Sequence, residues 1–293
     1  MVQILVILTC AIEAANPSQE NEIMPGSSEF QLRNGGPDVY EACLVTAQMG
    51  PSAQELVAAA KIDLDERVLD VGCGTGVVAR TAAANVRNAA QVTGVDVNAP
   101  MLIAAADFAE RSGIGGIAWV ECDAANMPFE DQSFDVVLCQ QGLQFMPDQN
   151  GALREMARVL KPNGRLALSV WKERSPLGAA LAKVFDRRFG EDTTASWQTM
   201  YSLGDREELR SLVLAAGFRD VHITFDYKFA RHSDPIAFVT GAVAGSPLAS
   251  ALAEMPEEES SMLYTEIVKE LADYHDDGGL AAPAPCHTLT ATL

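Results

Sequence analysis

A glycine-rich turn after a buried strand is the feature that most constrains the fold of this chain. Residues 68–76 read Val-Leu-Asp-Val-Gly-Cys-Gly-Thr-Gly, an apolar run followed by three glycines in five residues. Glycine allows a sharp backbone turn and leaves space for a bulky ligand against the main chain. The turn leads into a helix that begins near Val77, and a helix N-terminus favours a carboxylate or phosphate group. The pattern predicts a strand–turn–helix unit with a ligand at the turn.

An acidic residue ends the next predicted strand. Residues 91–95 are Gln-Val-Thr-Gly-Val, and Asp96 follows them, twenty residues after Gly76. A carboxylate at this place suits the two hydroxyl groups of a ribose. A dinucleotide fingerprint spaces its glycines as G-x-G-x-x-G, whereas here the third glycine comes one residue early and Val77 occupies the required place. The spacing therefore favours a nucleoside cofactor that is not a dinucleotide.

Three further segments follow the glycine turn in a fixed order. They are Val-Thr-Gly-Val-Asp-Val-Asn at 92–98 with Met101-Leu102, Glu-Cys-Asp-Ala-Ala-Asn-Met-Pro-Phe at 121–129, and Ser-Phe-Asp-Val-Val-Leu at 133–138 with Lys-Pro-Asn-Gly-Arg at 161–165. Together with the turn, this set resembles the class I S-adenosyl-L-methionine (SAM)-dependent methyltransferases, and most resembles the small-molecule branch that includes the ubiquinone/menaquinone C-methyltransferases. The resemblance is close over roughly residues 38–171 and looser elsewhere. It implies SAM as the cofactor, S-adenosyl-L-homocysteine (SAH) as its product and a small-molecule methyl acceptor.

The resemblance also implies a cofactor-binding set. The backbone of the three glycines contacts the methionine and ribose parts of the cofactor, and Asp96 accepts from the ribose. Val97 and Met101 sandwich the adenine, and Asp123 and Ala124 contact its amino group and ring. The full set is Tyr40, Asp70, Gly72, Cys73, Gly74, Gly76, Asp96, Val97, Met101, Asp123, Ala124 and Cys139.

Several members of this set have an alternative, structural explanation. An aspartate after a strand, such as Asp123, is commonly a turn or N-cap residue, and Met101 and Tyr40 suit helix packing equally well. The resemblance gives Asp70 two roles, ordering the turn or accepting from the cofactor's ammonium group through water. Cys73 and Cys139 are better explained as small residues in a tight cleft than as functional thiols.

The segment after the fourth predicted strand, Cys-Gln-Gln-Gly-Leu-Gln-Phe at 139–145, lacks a base. Relatives often carry histidine at the places of Gln144 or Phe145. An amide can orient an acceptor through hydrogen bonds, but it cannot take a proton at neutral pH. N-methylation of a neutral amine, C-methylation of an electron-rich ring and a base from an insertion therefore stay open. The catalytic candidates are Gln140, Gln141, Gln144 and His232, and no carboxylate–histidine set has metal-ligand spacing.

Three other functions compete with methyl transfer. A SAM-binding relative that does not methylate, such as a cyclase, a rearrangement enzyme or a regulatory subunit, would keep the same motifs. A nicotinamide oxidoreductase is disfavoured by the early third glycine and the Asp123 segment. An RNA methyltransferase is disfavoured because the formal net charge of −19 offers no basic footprint for phosphates. A protein methyltransferase is disfavoured because no Asn-Pro-Pro-Tyr-like tetrapeptide follows the fourth strand.

Composition and the N-terminal run bear on location. The six cysteines form no C-x-x-C pair and suit a reducing cytoplasm. The apolar run at 2–12 has the length of a signal-peptide core, but no Lys or Arg precedes it and Glu13 follows. It is also too short to span a bilayer. We therefore expect a cytoplasmic protein with no nucleic-acid partner and no membrane insertion, with a homodimer as one option.

Strand and helix patterns alternate along the chain, which predicts an α/β fold with a Rossmann-like doubly wound sheet. The resemblance adds about seven strands, the last antiparallel and inserted beside the fifth. We expect a flexible extension at 1–36, a SAM-binding domain formed by 37–231 and 281–293, and a helical lid over the substrate at 232–280. The SAM-binding domain would begin with cap helices, since residues 37–60 predict two helical pieces split by Gly50-Pro51. The apolar stripe in that last segment, Leu263, Ile267, Leu271 and Tyr274, fits a lid or plain packing onto the sheet.

Overall fold

The computed structural model describes residues 36–190, 194–244, 252 and 255–293. Its centre is one mixed sheet of eight strands, in the order β3-β2-β1-β4-β5-β8-β6, with the short β7 paired to β8. The strands are β1 (Val68–Val71), β2 (Val92–Asp96), β3 (Ala118–Glu121), β4 (Phe134–Gln140), β5 (Leu160–Trp171), β6 (Arg219–His232), β7 (His275–Asp276) and β8 (Gly279–Thr292). The first five strands are parallel, and β8 lies antiparallel between β5 and β6. The predicted doubly wound sheet with an inserted antiparallel last strand is confirmed.

Helices cover both faces of this sheet. They are α1 (Gly36–Val39), α2 (Gly50–Ala60), α3 (Val77–Ala83), α4 (Ala99–Arg111), α5 (Gln149–Val159), α6 (Pro176–Phe189), α7 (Arg206–Ala215), α8 (Pro235–Ala244) and α9 (Glu257–Glu270). Side chains cap several of them, as expected for Asp and Ser at helix starts. Asp205, for example, accepts from the backbone N–H groups of Glu207 and Glu208 at 2.8 and 2.9 Å. In the part of the chain described here, no helix combines the length and apolarity needed to cross a membrane.

The N-terminal helices differ from the sequence-based expectation of two pieces divided at Gly50-Pro51. A π-helical segment, Tyr40–Met49, runs directly into α2 without a break. The Gly50 N–H donates to the Val45 carbonyl, five residues back. Pro51 lacks an N–H and fits the first turn of a helix. The change from π to α hydrogen bonding at Gly50 therefore lets the chain pass through this proline.

Three apolar clusters hold the layers together. On one face of the sheet, α5 and α7 bury Leu153, Met156 and Val213. On the other face, α2 and α3 bury side chains such as Leu56. The third cluster joins α6, α8 and α9 through residues that include Phe238.

The segment between β6 and β8 carries the predicted lid. Its apolar stripe packs into the third cluster, where Leu263, Ile267 and Leu271 are fully buried. Sequence patterns placed this segment at 232–280, whereas β6 extends to His232 and β8 begins at Gly279. The segment also contains β7, because the chain turns back through a short hairpin onto β8. The predicted extension at 1–36 lies outside the described residues except for its last residue.

Candidate functional site

The glycine turn joins β1 to α3 at the carboxyl edge of the sheet. Gly72, Gly74 and Gly76 have φ values of +68°, +53° and +80°, in the left-handed region that side chains disfavour. The backbone N–H groups of Gly72 and Cys73 both donate to the Val95 carbonyl at 2.9 Å. These bonds fold the turn against the end of the neighbouring strand, β2.

Asp96, at the end of β2, is part of the same network. One carboxylate oxygen accepts from the Gly74 N–H at 2.8 Å, and the other accepts from the Asn98 N–H at 2.9 Å. Burial raises the pKa of this carboxyl despite these bonds. Val97 beside it is apolar yet 74% exposed, whereas Met101 on α4 is buried. An exposed apolar side chain next to a held carboxylate suits a ligand that carries both a ring and hydroxyl groups.

Asp70 is the most deeply buried carboxylate of the site, with 1% of its surface exposed. Its Oδ2 accepts from the Ala79 N–H at 2.9 Å, in the first turns of α3. Its Oδ1 has no hydrogen-bond partner among the described residues. Burial raises the pKa of Asp70 to about 7, with the Asp96 carboxylate adding to the shift. Such a group favours a cationic ligand, whose charge would stabilise the ionised carboxyl.

Asp123 follows β3 and closes a turn. Its Oδ1 accepts from the Ala125 N–H at 2.8 Å, which is the alternative role that the sequence allowed. The side chain is otherwise exposed and borders the same cleft as Ala124. The turn role and a ligand contact through the second oxygen are therefore compatible.

Gly76 has a packing requirement of its own. A Cβ at this position would lie 2.5 Å from the Trp119 ring. The same ring covers Gly94, where a Cβ would also lie 2.5 Å from it. These two glycines let the indole of β3 lie across β2 and the start of α3. Packing thus explains Gly76 without any ligand contact.

One cavity of about 650 Å³ runs along the carboxyl edge of the sheet. It passes from β2 and β3, across β1, to β4 and β5, which includes the point where the strand order reverses between β1 and β4. Ten members of the expected cofactor set line it: Tyr40, Asp70, Gly72, Cys73, Gly74, Asp96, Val97, Met101, Asp123 and Ala124. The cavity thus gathers residues that are far apart in sequence, from the π-helical segment to α8.

Two members of that set do not line the cavity. Gly76 lies under Trp119 as described, and Cys139 is fully buried in the core at the end of β4. The backbone N–H groups of Gly142 and Leu143 face the Cys139 thiol, and burial is the main cause of its raised pKa.

The four catalytic candidates divide in the same way. Gln140 and Gln141 line the cavity. Gln144 does not; it is buried beneath them and donates to Gln141 Oε1 at 3.1 Å. His232 is also absent from the lining and accepts from the Asp234 N–H at 3.0 Å, at the start of α8. His232 therefore has a local structural partner away from the cavity.

The structure adds residues that sequence reasoning did not select. Trp171 and Glu173, at and just beyond the end of β5, line the cavity together with Leu181 of α6 and Tyr201. Asp96 was selected because the carboxyl ends of parallel strands lie at one edge of the sheet. The same rule could have selected the residues after β5. Tyr201 lies in a 3₁₀ segment thirty residues further on, and no local pattern points to it.

A buried ion pair ties the N-terminal helix to the glycine turn. Glu41 pairs with Arg80 of α3 and accepts from the Thr75 hydroxyl at 2.8 Å. The Arg80 guanidinium also donates to the Thr75 carbonyl at 2.5 Å. This contact positions Tyr40, the neighbour of Glu41, at the cavity. Burial raises the pKa of the Tyr40 phenol, with contributions from Glu41 and Asp96.

These features fit a SAM molecule. Asp96 and Val97 offer a carboxylate and an apolar surface for the adenosine, and Asp70 Oδ1 is a buried acceptor with no partner among the residues that the structure describes. The Cα of Gly74 faces open space, because nothing lies within 4 Å of a Cβ built there. Fold and site define the class of the SAM-dependent methyltransferases.

Comparison with known proteins agrees with this class. A family model described as a methyltransferase domain matches residues 69–168. The ubiquinone/menaquinone biosynthesis C-methyltransferase UbiE of Idiomarina loihiensis is 32% identical over 170 residues, which cover 53% of this chain and 67% of that protein. UbiE of Xanthomonas campestris pv. campestris is 40% identical over 118 residues, 40% of this chain and 47% of that protein. The chain thus spans about half to two thirds of the length of these relatives.

Solved structures share the fold. The YcgJ protein of Bacillus subtilis aligns with a TM-score of 0.56 at 19% identity, over 83% of this chain and 97% of that one. The phosphoethanolamine N-methyltransferase 2 of Haemonchus contortus, solved with phosphomonomethylethanolamine and SAH, aligns with a TM-score of 0.61 at 19% identity, over 92% of this chain and 60% of that one. The chain belongs to the class I SAM-dependent methyltransferases.

Proposed function

We propose that the protein transfers a methyl group from SAM to a small molecule held in the β4–β5 half of the cavity. The observation that carries this proposal is the continuity of the cavity from Asp96 to Trp171 and Tyr201. These ends belong to β2 and β5, and the strands lie in the order β2-β1-β4-β5. Three spacings of about 4.8 Å between neighbouring strands give a distance of roughly 14 Å. That length accommodates a nucleoside cofactor and an acceptor side by side.

The division of the cavity supports separate roles for its two halves. Asp70, Asp96 and Asp123 lie at the ends of β1, β2 and β3, where the charged and hydroxyl-bearing parts of a cofactor need acceptors. The β4–β5 half is lined instead by aromatic and aliphatic side chains, namely Phe145, Trp171, Leu177, Leu181, Met200 and Tyr201. Such a lining suits the body of an apolar small molecule.

When bound, SAM supplies a methyl group that is already activated on a sulfonium sulfur. The work of this chain is therefore positioning and exclusion of water. The π-helical segment contributes Leu44 and Met49 to the cavity wall, and α6 contributes Leu177 and Leu181. Of the described residues between β6 and β8, Ala242 alone lines the cavity. We infer that the roof consists mainly of the π-helical segment and α6, with α8 and α9 supporting it from behind.

The test is transfer of labelled methyl from SAM to small acceptors by the purified full chain. Amines, phenols and quinols are screened, and both labelled product and SAH are quantified. We expect equal amounts of labelled product and SAH from at least one acceptor class. SAM binding with conversion of an added compound but no label in the product would instead identify a non-methylating relative, such as a cyclase, and would refute the proposal.

A further inference from the structure

The charge of the cavity lining is one-sided. Four carboxylates line it: Asp70, Asp96, Asp123 and Glu173. Among its described lining residues there is no Lys, Arg or His. The internal ranges outside the description, 191–193, 245–251 and 253–254, contain no basic residue in the sequence. A narrow cleft of one sign concentrates ligands of the opposite sign and repels those of its own sign. The lining therefore disfavours phosphate- or carboxylate-bearing acceptors.

Gln140 presents a fixed hydrogen-bond acceptor in the β4–β5 half. Its Nε2 donates to the Met49 carbonyl at 2.9 Å, so that the orientation of the amide is set by the π-helical segment. The side chain is 7% exposed, and its Oε1 has no partner within the described structure. A buried acceptor without a partner is costly, and a ligand that brings an N–H or O–H group removes that cost.

Among the described residues, Glu173 is the carboxylate that lines the β4–β5 half, since the three aspartates lie at the ends of β1, β2 and β3. It follows β5 by two residues, and half of its side chain is exposed. The Lys172 ammonium lies 3.3 Å from Glu173 Oε2 and also 4.4 Å from the centre of the Phe225 ring. The lysine can stay on that ring when a cationic ligand approaches the carboxylate from the cavity.

No histidine lies among the described residues of the β4–β5 half, and its carboxylate, Glu173, is a much weaker base than an alkoxide or phenolate. Burial raises the pKa of the Tyr201 phenol, as it does for Tyr40, so both phenols stay protonated near neutral pH. An alcohol or phenol acceptor must lose its proton for efficient attack, whereas a neutral amine attacks through its lone pair without a base. Among uncharged acceptors the lining therefore favours the amine.

Given the methyl transfer proposed above, we propose that the acceptor is a hydrophobic amine whose N–H donates to Gln140 Oε1 and whose apolar body packs against Trp171 and Leu181. The amine enters the acidic cleft as an ammonium ion and gives one proton to solvent. The nitrogen lone pair then forms the new N–C bond as the S–C bond breaks and its electron pair returns to sulfur. The positive charge passes from sulfur to nitrogen, where it faces Glu173.

The experiment measures binding before turnover. The full chain, saturated with SAH, is titrated calorimetrically with arylalkylamines and with the phenol and carboxylate of the same size, for example 2-phenylethylamine, 4-ethylphenol and 3-phenylpropanoate. We expect at least one amine to bind about tenfold or more tightly than its phenol and carboxylate counterparts, and to yield SAH when SAM replaces SAH. Failure of every amine to bind, or a phenol or carboxylate that binds as tightly, would overturn the inference.

Variants assign the selectivity to named atoms. Glu173→Gln should raise the KM for the amine about fivefold, and Gln140→Met about tenfold, each with little change in SAH affinity. Glu110→Gln, an exposed carboxylate on α4 that does not line the cavity, is the matched control and should change neither. Unchanged KM values in both cavity variants would overturn the inference. Failure of the unmodified chain to bind SAH would instead refute the proposed function itself.

Discussion

At the scale of single residues, the site depends on a few polar atoms in unusual surroundings. Asp70 is buried with one oxygen bonded to α3 and the other without a described partner. Asp96 is held by two backbone N–H groups at the glycine turn. Both carboxyls have raised pKa values because burial disfavours their charged forms. A cationic ligand in the site would therefore stabilise the ionised forms of both carboxyls and lower their pKa values.

The raised pKa of Asp70 predicts a pH-dependent affinity for SAM. Because the pKa is about 7 in the apo protein and a cationic ligand favours the ionised form, binding below pH 7 must release a proton. We expect the affinity for SAM to fall roughly tenfold from pH 8 to pH 6. Calorimetry across this range checks it, with Asp70→Asn as the control that should show a flatter profile. An equally steep profile in Asp70→Asn would assign the effect to another group.

The same shift has a consequence for the stability of the apo protein. A carboxyl whose pKa is raised on folding stabilises the fold most below its unfolded pKa of 3.8, and that contribution is lost as the pH rises through about 7. We expect the stability of Asp70→Asn relative to the unmodified apo chain to rise from about pH 4 to pH 7 and to level off at higher pH. Urea denaturation at several pH values measures this difference, and a constant difference across the range would contradict the assignment.

At the scale of elements, the contact between the N-terminal helices and the glycine turn organises one wall of the cavity. The π-helical segment carries Tyr40 and Met49, and its Glu41 is joined to Arg80 and Thr75. A π-helical stretch within an α-helix often lies at a functional site. Here it brings the Met49 carbonyl to Gln140 and the Glu41 carboxylate to α3.

Breaking this contact should cost stability. Glu41→Gln leaves the Arg80 guanidinium, which is 10% exposed, without its ionic partner. Removal of one partner of a largely buried, hydrogen-bonded ion pair costs about 2 kcal/mol, to be measured by urea denaturation of the full chain. The control is Asp107→Asn, which disrupts the exposed pair with Arg111 on α4 and should cost less than about 0.5 kcal/mol. If the two substitutions lowered the free energy of unfolding equally, the Glu41 ion pair would contribute no more to stability than an exposed pair.

The elements also show which features local sequence can predict. Periodicity and capping residues predict α4 at 99–112, α5 at 149–160 and α7 at 205–216, and each observed helix ends within one residue of these bounds. The strands predicted at 165–171 and 286–292 begin earlier, because β5 starts at Leu160 and β8 at Gly279. The continuous passage through Gly50-Pro51 was not predicted, because it depends on a change of hydrogen-bond register that local sequence does not show. The contact of Glu41 with Arg80, thirty-nine residues away, was not predicted either. No sequence pattern near Glu41 predicts its contact with Arg80.

At the scale of the whole molecule, the strand order converts separate motifs into one site. The ends of β1, β2, β3 and β4 meet at one edge, which is why Asp70, Asp96, Asp123 and Gln140 could be selected from sequence. Four of the predicted site residues do not line the cavity. Gly76 serves the Trp119 ring, Cys139 and Gln144 lie beneath the cavity floor, and His232 bonds to the start of α8.

The lining of the β4–β5 half of the cavity was harder to predict, because its residues come from distant parts of the chain. Its walls come from the π-helical segment, the end of β5, α6 and the 3₁₀ segment at Ala195–Tyr201, which meet only in the folded chain. The spacing of motifs along the sequence does not predict that these four segments meet at one cavity. The acidic balance of the chain is matched by a cavity lining with four carboxylates and no described basic residue.

The most direct test of the account is calorimetric titration of the full chain and of Asp96→Ala with SAM and SAH. We predict micromolar binding of both ligands by the unmodified chain. Asp96→Ala should lose about 1.5–3 kcal/mol of binding free energy, the contribution of a hydrogen bond to a charged group. A folded unmodified chain that binds neither ligand, or an Asp96→Ala variant that binds both with unchanged affinity, would contradict the cofactor site on which the account depends.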